Sequence, residues 1–308
     1  MITVYHSTAR TRELTTIDQA KVGSWVHVVE PSETELDQLA AELSLERDIL
    51  SDATDLYEAP RVETEDGATY VFTRYCHSGG EDTSTEPLLI IYTNNNIITI
   101  MRSGGSLFDL MINGQIEVLT TQKTKTFLQI LEQINRSYRL RLTAVSRHIL
   151  RIRREMRQSE ISTREFLSFI ELEEDMNEFV SALQPQSLVI NALESGKYMR
   201  LYDDDRDLVE DLNLDTNELI EQSKMKLRTL INLRQAYEAI ATSSLNRTFR
   251  HLTSIAIFLA IPTTISGLYG MNVIVPLHND PKAFWIIALI IAAVVAITVN
   301  IFSRRKWL

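Results

Sequence analysis

Hydrophobic and polar positions follow three different rules along the 308 residues. Over the first hundred, short runs rich in β-branched and aromatic residues recur: Ile2–Tyr5, Ser24–Val29, Thr69–Tyr75, Leu88–Thr93 and Ile97–Met101. Glu65-Asp66-Gly67, Ser78-Gly79-Gly80 and Asn94-Asn95-Asn96 punctuate them as turns, and the asparagine triplet predicts a hairpin tip. Between the second and third runs, Pro31-Ser32 opens a helical pattern with Leu36, Leu39 and Leu43 on one face. A small sheet with covering helices is expected.

After about residue 121 the apolar period becomes three and four. Phe127, Ile130, Leu131, Ile134, Tyr138, Leu142, Val145, Ile149 and Ile152 define a long amphipathic helix. A second helix is predicted over about Thr163–Leu183, ending before Pro185, and a third through Asn191 that Gly196 breaks. From about Asp204 a helical pattern meets neither Gly nor Pro until Pro262, with Leu230, Leu233, Tyr237, Ile240 and Ser244 at the spacing of a packed seam. Some sixty residues at 1.5 Å each extend roughly 90 Å, a length that suits a stalk or funnel wall.

The third rule is uninterrupted apolarity. Leu252–Tyr269 and Ala283–Phe302 carry no charge, and each is long enough to cross about 30 Å of hydrocarbon. Charge then orients them. Arg247 and Arg250 precede the first span, Arg304, Arg305 and Lys306 follow the second, and the loop 273–282 holds only Lys282 and Asp280. The positive-inside rule therefore places both termini in the cytoplasm and the loop outside, a multi-pass arrangement in the cell membrane. Trp285 and Trp307 fall at interfacial depth. The segment Met1–Leu14 has no apolar core, so no secretory leader is expected.

The six cations and one anion from Arg247 onward leave −15 on residues 1–246 of a chain whose net charge is −10. An acidic body on a basic, apolar tail argues against a nucleic-acid partner and suits cations and a lipid bilayer. Arg147, Arg151, Arg153, Arg154 and Arg157 read as a solvated or acid-paired helix face. The lone Cys76 excludes an internal disulfide, and Cys76-His77 lacks a metal-binding spacing, so both are read as structural. No phosphate-binding loop, Gly-x-Ser-x-Gly or His-Glu-x-x-His motif occurs, and no enzymatic activity is expected.

Two helices cannot enclose a water-filled path, so conduction requires several copies around an axis. Asn246, Phe249, Thr253, Ala256, Ala260, Thr263 and Gly267 share one stripe of the first span, mostly small or polar. Such a stripe serves close helix packing or a narrow pore equally well.

The span ends in Tyr269-Gly270-Met271-Asn272. In this position, with a second span and the ending Arg304-Arg305-Lys306-Trp307-Leu308, the chain resembles the CorA family of magnesium channels, whose signature is Gly-Met-Asn at the outer end of the first of two C-terminal spans. Asn246–Thr253 is also similar to that family's entry to the first span. The resemblance is sharp over 237–308 and architectural over 1–236.

It implies an α+β cytoplasmic domain continued by a very long helix into two transmembrane helices, in a homopentameric funnel. The parts are then 1–120 (α/β), 121–203 (helical), 204–271 (stalk and pore helix, first span about 252–269), 272–282 (outer loop), 283–302 (second span) and 303–308 (basic tail). Mg²⁺ is implied as both transported and regulatory ion, with no organic cofactor, Co²⁺ and Ni²⁺ as further cargo, and passive influx as the activity. By position the selectivity filter is Gly270, Met271 and Asn272. The lining is Asn246, Phe249, Leu252 or Thr253, Ala256, Ala260, Thr263 and Gly267. Neutral oxygens from Gly270 and Asn272 suit a hydrated Mg²⁺, and no Cys or His stands at this mouth for a soft metal. Counting back ungapped from Asn246 puts an intersubunit regulatory metal at Asp211, with Asp203, Asp204, Asp205 and Asp207 nearby. A carboxylate run at a helix start also serves as capping. Two departures stand out: Ala260 lies where family pores often carry Met, and the outer loop has Asp280 where relatives often carry glutamates.

Overall fold

The computed structural model describes residues 1–77, 85–158, 163–277 and 281–305, with the side chains of all but 157–158 and 163–166. The expectations on Ser78-Gly79-Gly80, Asp280, Lys306-Trp307-Leu308 and the Arg157 side chain lie outside the described residues. Contacts divide the chain into two units, Met1–Leu233 and Arg234–Leu308.

In the first unit seven strands, among the described residues, form one sheet. They are β1 (Ile2–His6), β2 (Thr15–Ile17), β3 (Ser24–Val29), β4 (Arg61–Glu65), β5 (Ala68–Cys76), β6 (Thr85–Tyr92) and β7 (Ile97–Met101), in the order β2-β1-β3-β7-β6-β5-β4. Only β3 and β7 run parallel. A parallel pair needs a crossover, supplied here by α1 (Glu33–Leu43), α2 (Arg47–Asp52) and the β4-β5-β6 meander. α1 opens with a capping box between Ser32 and Glu35. The β4–β5 turn places Asp66 and Gly67 at φ 47° and 79°, the mirror-image turn that Asp-Gly favours. The asparagine hairpin closes with Thr93 N–H donating to the Asn96 carbonyl at 3.0 Å.

Both faces of the sheet are covered, so β5, β6 and β7 are buried almost end to end instead of alternating. Val71, Leu88, Ile90 and Met101 join one core with α4 (Lys123–Gln158), α5 (Thr163–Glu194) and the start of α6 (Asp203–Tyr269). Tyr70, Phe72, Leu89, Ile91, Ile98 and Ile100 join the other with Leu36, Leu39 and Leu50. α3 (Asp109–Ile112) is a single turn before α4, and α7 (Ala283–Arg304) closes the chain. All nine apolar positions predicted for α4 are buried.

Two expectations change. The strands β2 and β4, with sequences TTI and RVETE, carry no apolar alternation; they are edge strands, where polar and charged residues prevent further pairing. The helix break expected before Pro185 does not occur, and α5 runs unbroken to Glu194. Proline removes a single N–H donor, while Phe179, Ala182 and Leu183 on one side and Val189, Ile190 and Leu193 on the other hold both halves to the same core.

Polar groups cross this core as a connected set. Thr73 on β5 donates to Gln186 Oε1 at 2.9 Å, Gln186 Nε2 to Asn135 Oδ1 at 3.3 Å, and Asn135 Nδ2 to Thr216 Oγ1 at 2.9 Å and Asp215 Oδ2 at 3.0 Å. Arg139 pairs with the same aspartate. On the sheet, His27 lies against Trp25 and Phe108, with Nδ1 2.9 Å from Thr99 Oγ1, and burial pushes its pKa down to about 4. The unfolded chain protonates near 6.5, so stability is full above that value and falls as pH drops toward 4, by roughly 3 kcal/mol in total. Thermal unfolding from pH 7.5 to 4 is expected to show this loss, and His27→Gln to flatten it.

Candidate ion path and regulatory surface

In the second unit α6 carries its apolar stretch to Tyr269, and α7 returns. Both segments are long and apolar enough to cross a membrane and are almost wholly exposed. A core helix of a water-soluble domain would be buried, so the exposure asks for a lipid surround. α6 ends at Tyr269, the last residue of the first apolar stretch, and α7 begins at Ala283, the first residue of the second.

The two helices face each other along defined rows. Ser254 is fully buried, and Phe258, Ile261 and Ile265 follow at helical spacing as half-buried residues. Phe258 packs on Phe302 of α7 with ring centroids 5.6 Å apart. On α7 the half-buried positions Ile287, Ile291, Val295, Thr298 and Phe302 also fall on one face. At 100° per residue, Ala256, Ala260, Thr263 and Gly267 lie roughly 150° around α6 from that contact row. The predicted stripe Asn246, Phe249, Leu252, Thr253, Ala256, Ala260, Thr263 and Gly267 is exposed at every position. Packing within the hairpin therefore does not use it.

Thr263 donates to the Leu259 carbonyl at 2.7 Å and Ser254 to the Arg250 carbonyl at 2.8 Å, which satisfies these two hydroxyl donors inside the apolar stretch. The Thr263 oxygen keeps its acceptor capacity on the stripe. Residues 241–250 of α6 are exposed all round, with Leu245 and Phe249 both more than half exposed. The seam expected from Leu230 to Ser244 thus divides: Leu230 is buried in the first unit, and Ile240 is 46% exposed.

α6 ends at Tyr269. The Gly270 N–H donates to Ser266 and Gly267 carbonyls at 2.9 and 3.2 Å, and a Cβ there would stand 3.3 Å from Ser266 O. Glycine at this position permits a close approach to the last turn; it does not adopt a left-handed backbone. Met271 and Asn272 follow, both exposed, and Tyr269 is half-buried.

The aspartates at the start of α6 separate by role. Asp205 is 8% exposed, and its Oδ2 accepts the Tyr202 N–H at 3.1 Å, the reach-back half of a capping box. Asp203, Asp204, Asp207 and Asp211 are exposed. Asp204, Asp207 and Asp211 share the face opposite the buried Val209, Leu212 and Thr216. Among the described residues no three His, Cys, Asp or Glu side chains converge as a metal site within one chain. Asp205→Ala is expected to cost about 1 kcal/mol in thermal unfolding, as the loss of a cap does, and Asp211→Asn to leave the unfolding midpoint unchanged. Cys76 is buried and its thiol is pushed up to about 12, which makes it inert.

An acidic α/β domain, a very long helix and an exposed two-helix apolar hairpin define an integral membrane protein with a large extramembrane domain. The chain belongs to the CorA-like Mg²⁺ transporter protein family, whose model matches residues 20–305. It is 27% identical over 297 residues to the cobalt/magnesium transport protein CorA of Methanocaldococcus jannaschii, covering 92% of this chain and 91% of that one. It is 28% identical over 127 residues to the divalent cation transporter CmaX of Pseudomonas aeruginosa, covering 41% of this chain and 38% of that one. The fold is that of the complete CorA magnesium transporter structure from M. jannaschii, with TM-score 0.86, 21% identity, and coverage of 100% of this chain and 99% of that one. The full-length CmaX structure matches at TM-score 0.74 and 16% identity, over 99% and 97%.

Proposed function

We propose that this chain assembles into a ring, a homopentamer as the family resemblance implies, and passes Mg²⁺ inward down its electrochemical gradient, with Co²⁺ and Ni²⁺ as further cargo. The observation that carries the reading is the exposed small and polar stripe of α6, set on the side away from α7 and leading to Gly270-Met271-Asn272. In a ring of copies this face lines the axis while α7 takes the lipid. Its Thr, Ala and Gly side chains leave room for an ion that keeps its water shell, and the neutral oxygens at the mouth bind weakly enough to release it. Leu252, with Phe249, forms the apolar constriction. The N- and C-termini lie in the cytoplasm, by the charge flanking the spans.

Mg²⁺ bound at Asp211 between neighbouring cytoplasmic domains closes the channel. One carboxylate supplies at most two of six oxygen ligands, so water or another copy completes the shell. Loss of the ion leaves like charges facing and favours opening.

The test is Mg²⁺ uptake into liposomes holding the purified protein, read by an enclosed dye at low and high internal Mg²⁺. Uptake at low internal Mg²⁺ that internal Mg²⁺ suppresses supports the reading, with suppression shifted to higher concentration by Asp211→Asn. No uptake by folded, oligomeric protein at low internal Mg²⁺ refutes conduction and leaves a membrane-anchored scaffold. The alternative is the same fold carrying Zn²⁺ or exporting Mg²⁺. Competition by Zn²⁺ and the sign of the dye response distinguish it.

A further inference from the structure

A cleft of about 300 Å³ lies between the end of β5, residues 105–110 and α4, within the first unit and outside the ion path. At its floor Gln133 is only 3% exposed, and its Oε1 has no hydrogen-bond partner among the described residues. Buried amide oxygens are nearly always paired, and Gln133 lines the cleft, so its unpaired carboxamide is free to turn toward a donor there. Leu107, Leu110 and Leu140 make the walls apolar, and Leu140 is 62% exposed at the mouth. Arg136 stands one turn along α4 from Gln133, exposed on the rim and without an ion-pair partner among the described residues. Asp109 shares that rim.

A carboxamide presents a donor and an acceptor side by side, and the adenine edge offers the complementary pair in its exocyclic amine and N7. The terminal torsion of glutamine is broad, so a small rotation turns either amide atom to the cleft. Apolar walls receive a flat ring, a guanidinium grips a phosphate through its planar fork, and a carboxylate accepts from ribose hydroxyls. The volume lies at the lower end of small-molecule sites. We propose that this cleft binds an adenine mononucleotide, with the base between the leucines against Gln133 and the phosphate on Arg136.

Calorimetry on the full detergent-solubilised chain, in chelator so that no Mg²⁺ contributes, tests the site apart from ion transport. AMP is expected to bind about tenfold more tightly than IMP, whose carbonyl replaces the amine that Gln133 Oε1 accepts from. Arg136→Ala is expected to weaken AMP about tenfold, and Gln133→Met to abolish the difference between AMP and IMP. Leu140→Glu changes an exposed rim position, leaves folding intact and should prevent binding. Absence of AMP binding at millimolar concentration, equal affinity for AMP and IMP, or unchanged binding in Leu140→Glu each overturns the proposal.

Discussion

Asn272→Ala is expected to lower Mg²⁺ uptake into liposomes at least tenfold, about 1.4 kcal/mol in the conducting step, while leaving the oligomer and its unfolding midpoint unchanged. Asn272 follows the helix end by three residues and is exposed, so truncation removes no core contact. In the proposed ring it removes one neutral amide oxygen from each copy. Mg²⁺ gives up its water reluctantly, and a mouth that holds the hydrated ion must offer acceptors and donors to that water shell. Alanine offers neither. Asn272→Asp separates the field strength of the mouth from its shape: a carboxylate holds the ion longer, and uptake should fall through slow release with half-saturation at lower external Mg²⁺. Uptake in Asn272→Ala equal to that of the unmutated chain would move selection away from the outer mouth, toward Thr263 or the Leu252 constriction.

The largest stability effect is expected at Asn135. Asn135→Leu should cost about 2–4 kcal/mol, lowering the thermal midpoint by roughly 5–12 °C in a domain of this size. The side chain is fully buried and joins Gln186 of α5 to Thr216 and Asp215 of α6. Leucine breaks those bonds and also strands the Gln186 amide, itself 1% exposed, beside an apolar group. Stranding costs more than the bonds contribute, so Asn135→Leu with Gln186→Leu is expected to recover part of the loss. Additive losses in the pair would show that packing, not orphaned polar groups, sets the effect.

Residues that neighbour one another along the chain explain how much of this was legible beforehand. The two spans, the α4 stripe and the long α6 follow from local patterns, because eighteen or more uncharged apolar residues, or a sustained period of three and four, leave the backbone few other ways to bury surface and satisfy its own hydrogen bonds. The Asp-Gly and triple-asparagine turns were equally plain, since their backbone angles are set within two residues. Of the ion path, the residue types and their shared stripe were readable, and so was Gly270-Met271-Asn272 at its end.

Other features depend on partners far off in the chain. Pro185 sits inside a helix because both flanking turns pack on one core, a cohesion that local propensity does not express. β2 and β4 exist because β1 and β5 offer open edges, and their own residues carry no pattern. The parallel pairing of β3 with β7 joins segments some seventy residues apart. At the start of α6 three consecutive aspartates look alike in sequence; only the fold turns Asp205 back onto Tyr202 and leaves Asp203, Asp204 and Asp211 in solvent. Likewise only the contact of Phe258 with Phe302 assigns the opposite face of α6 to packing within the hairpin and leaves the stripe exposed. The sequence by itself determined the long helices, the two apolar spans and the apolar strands, since those depend on periodicity and hydrophobicity within each segment. The tertiary structure decided which face of each segment is occupied, because burial is a property of the neighbour as much as of the residue.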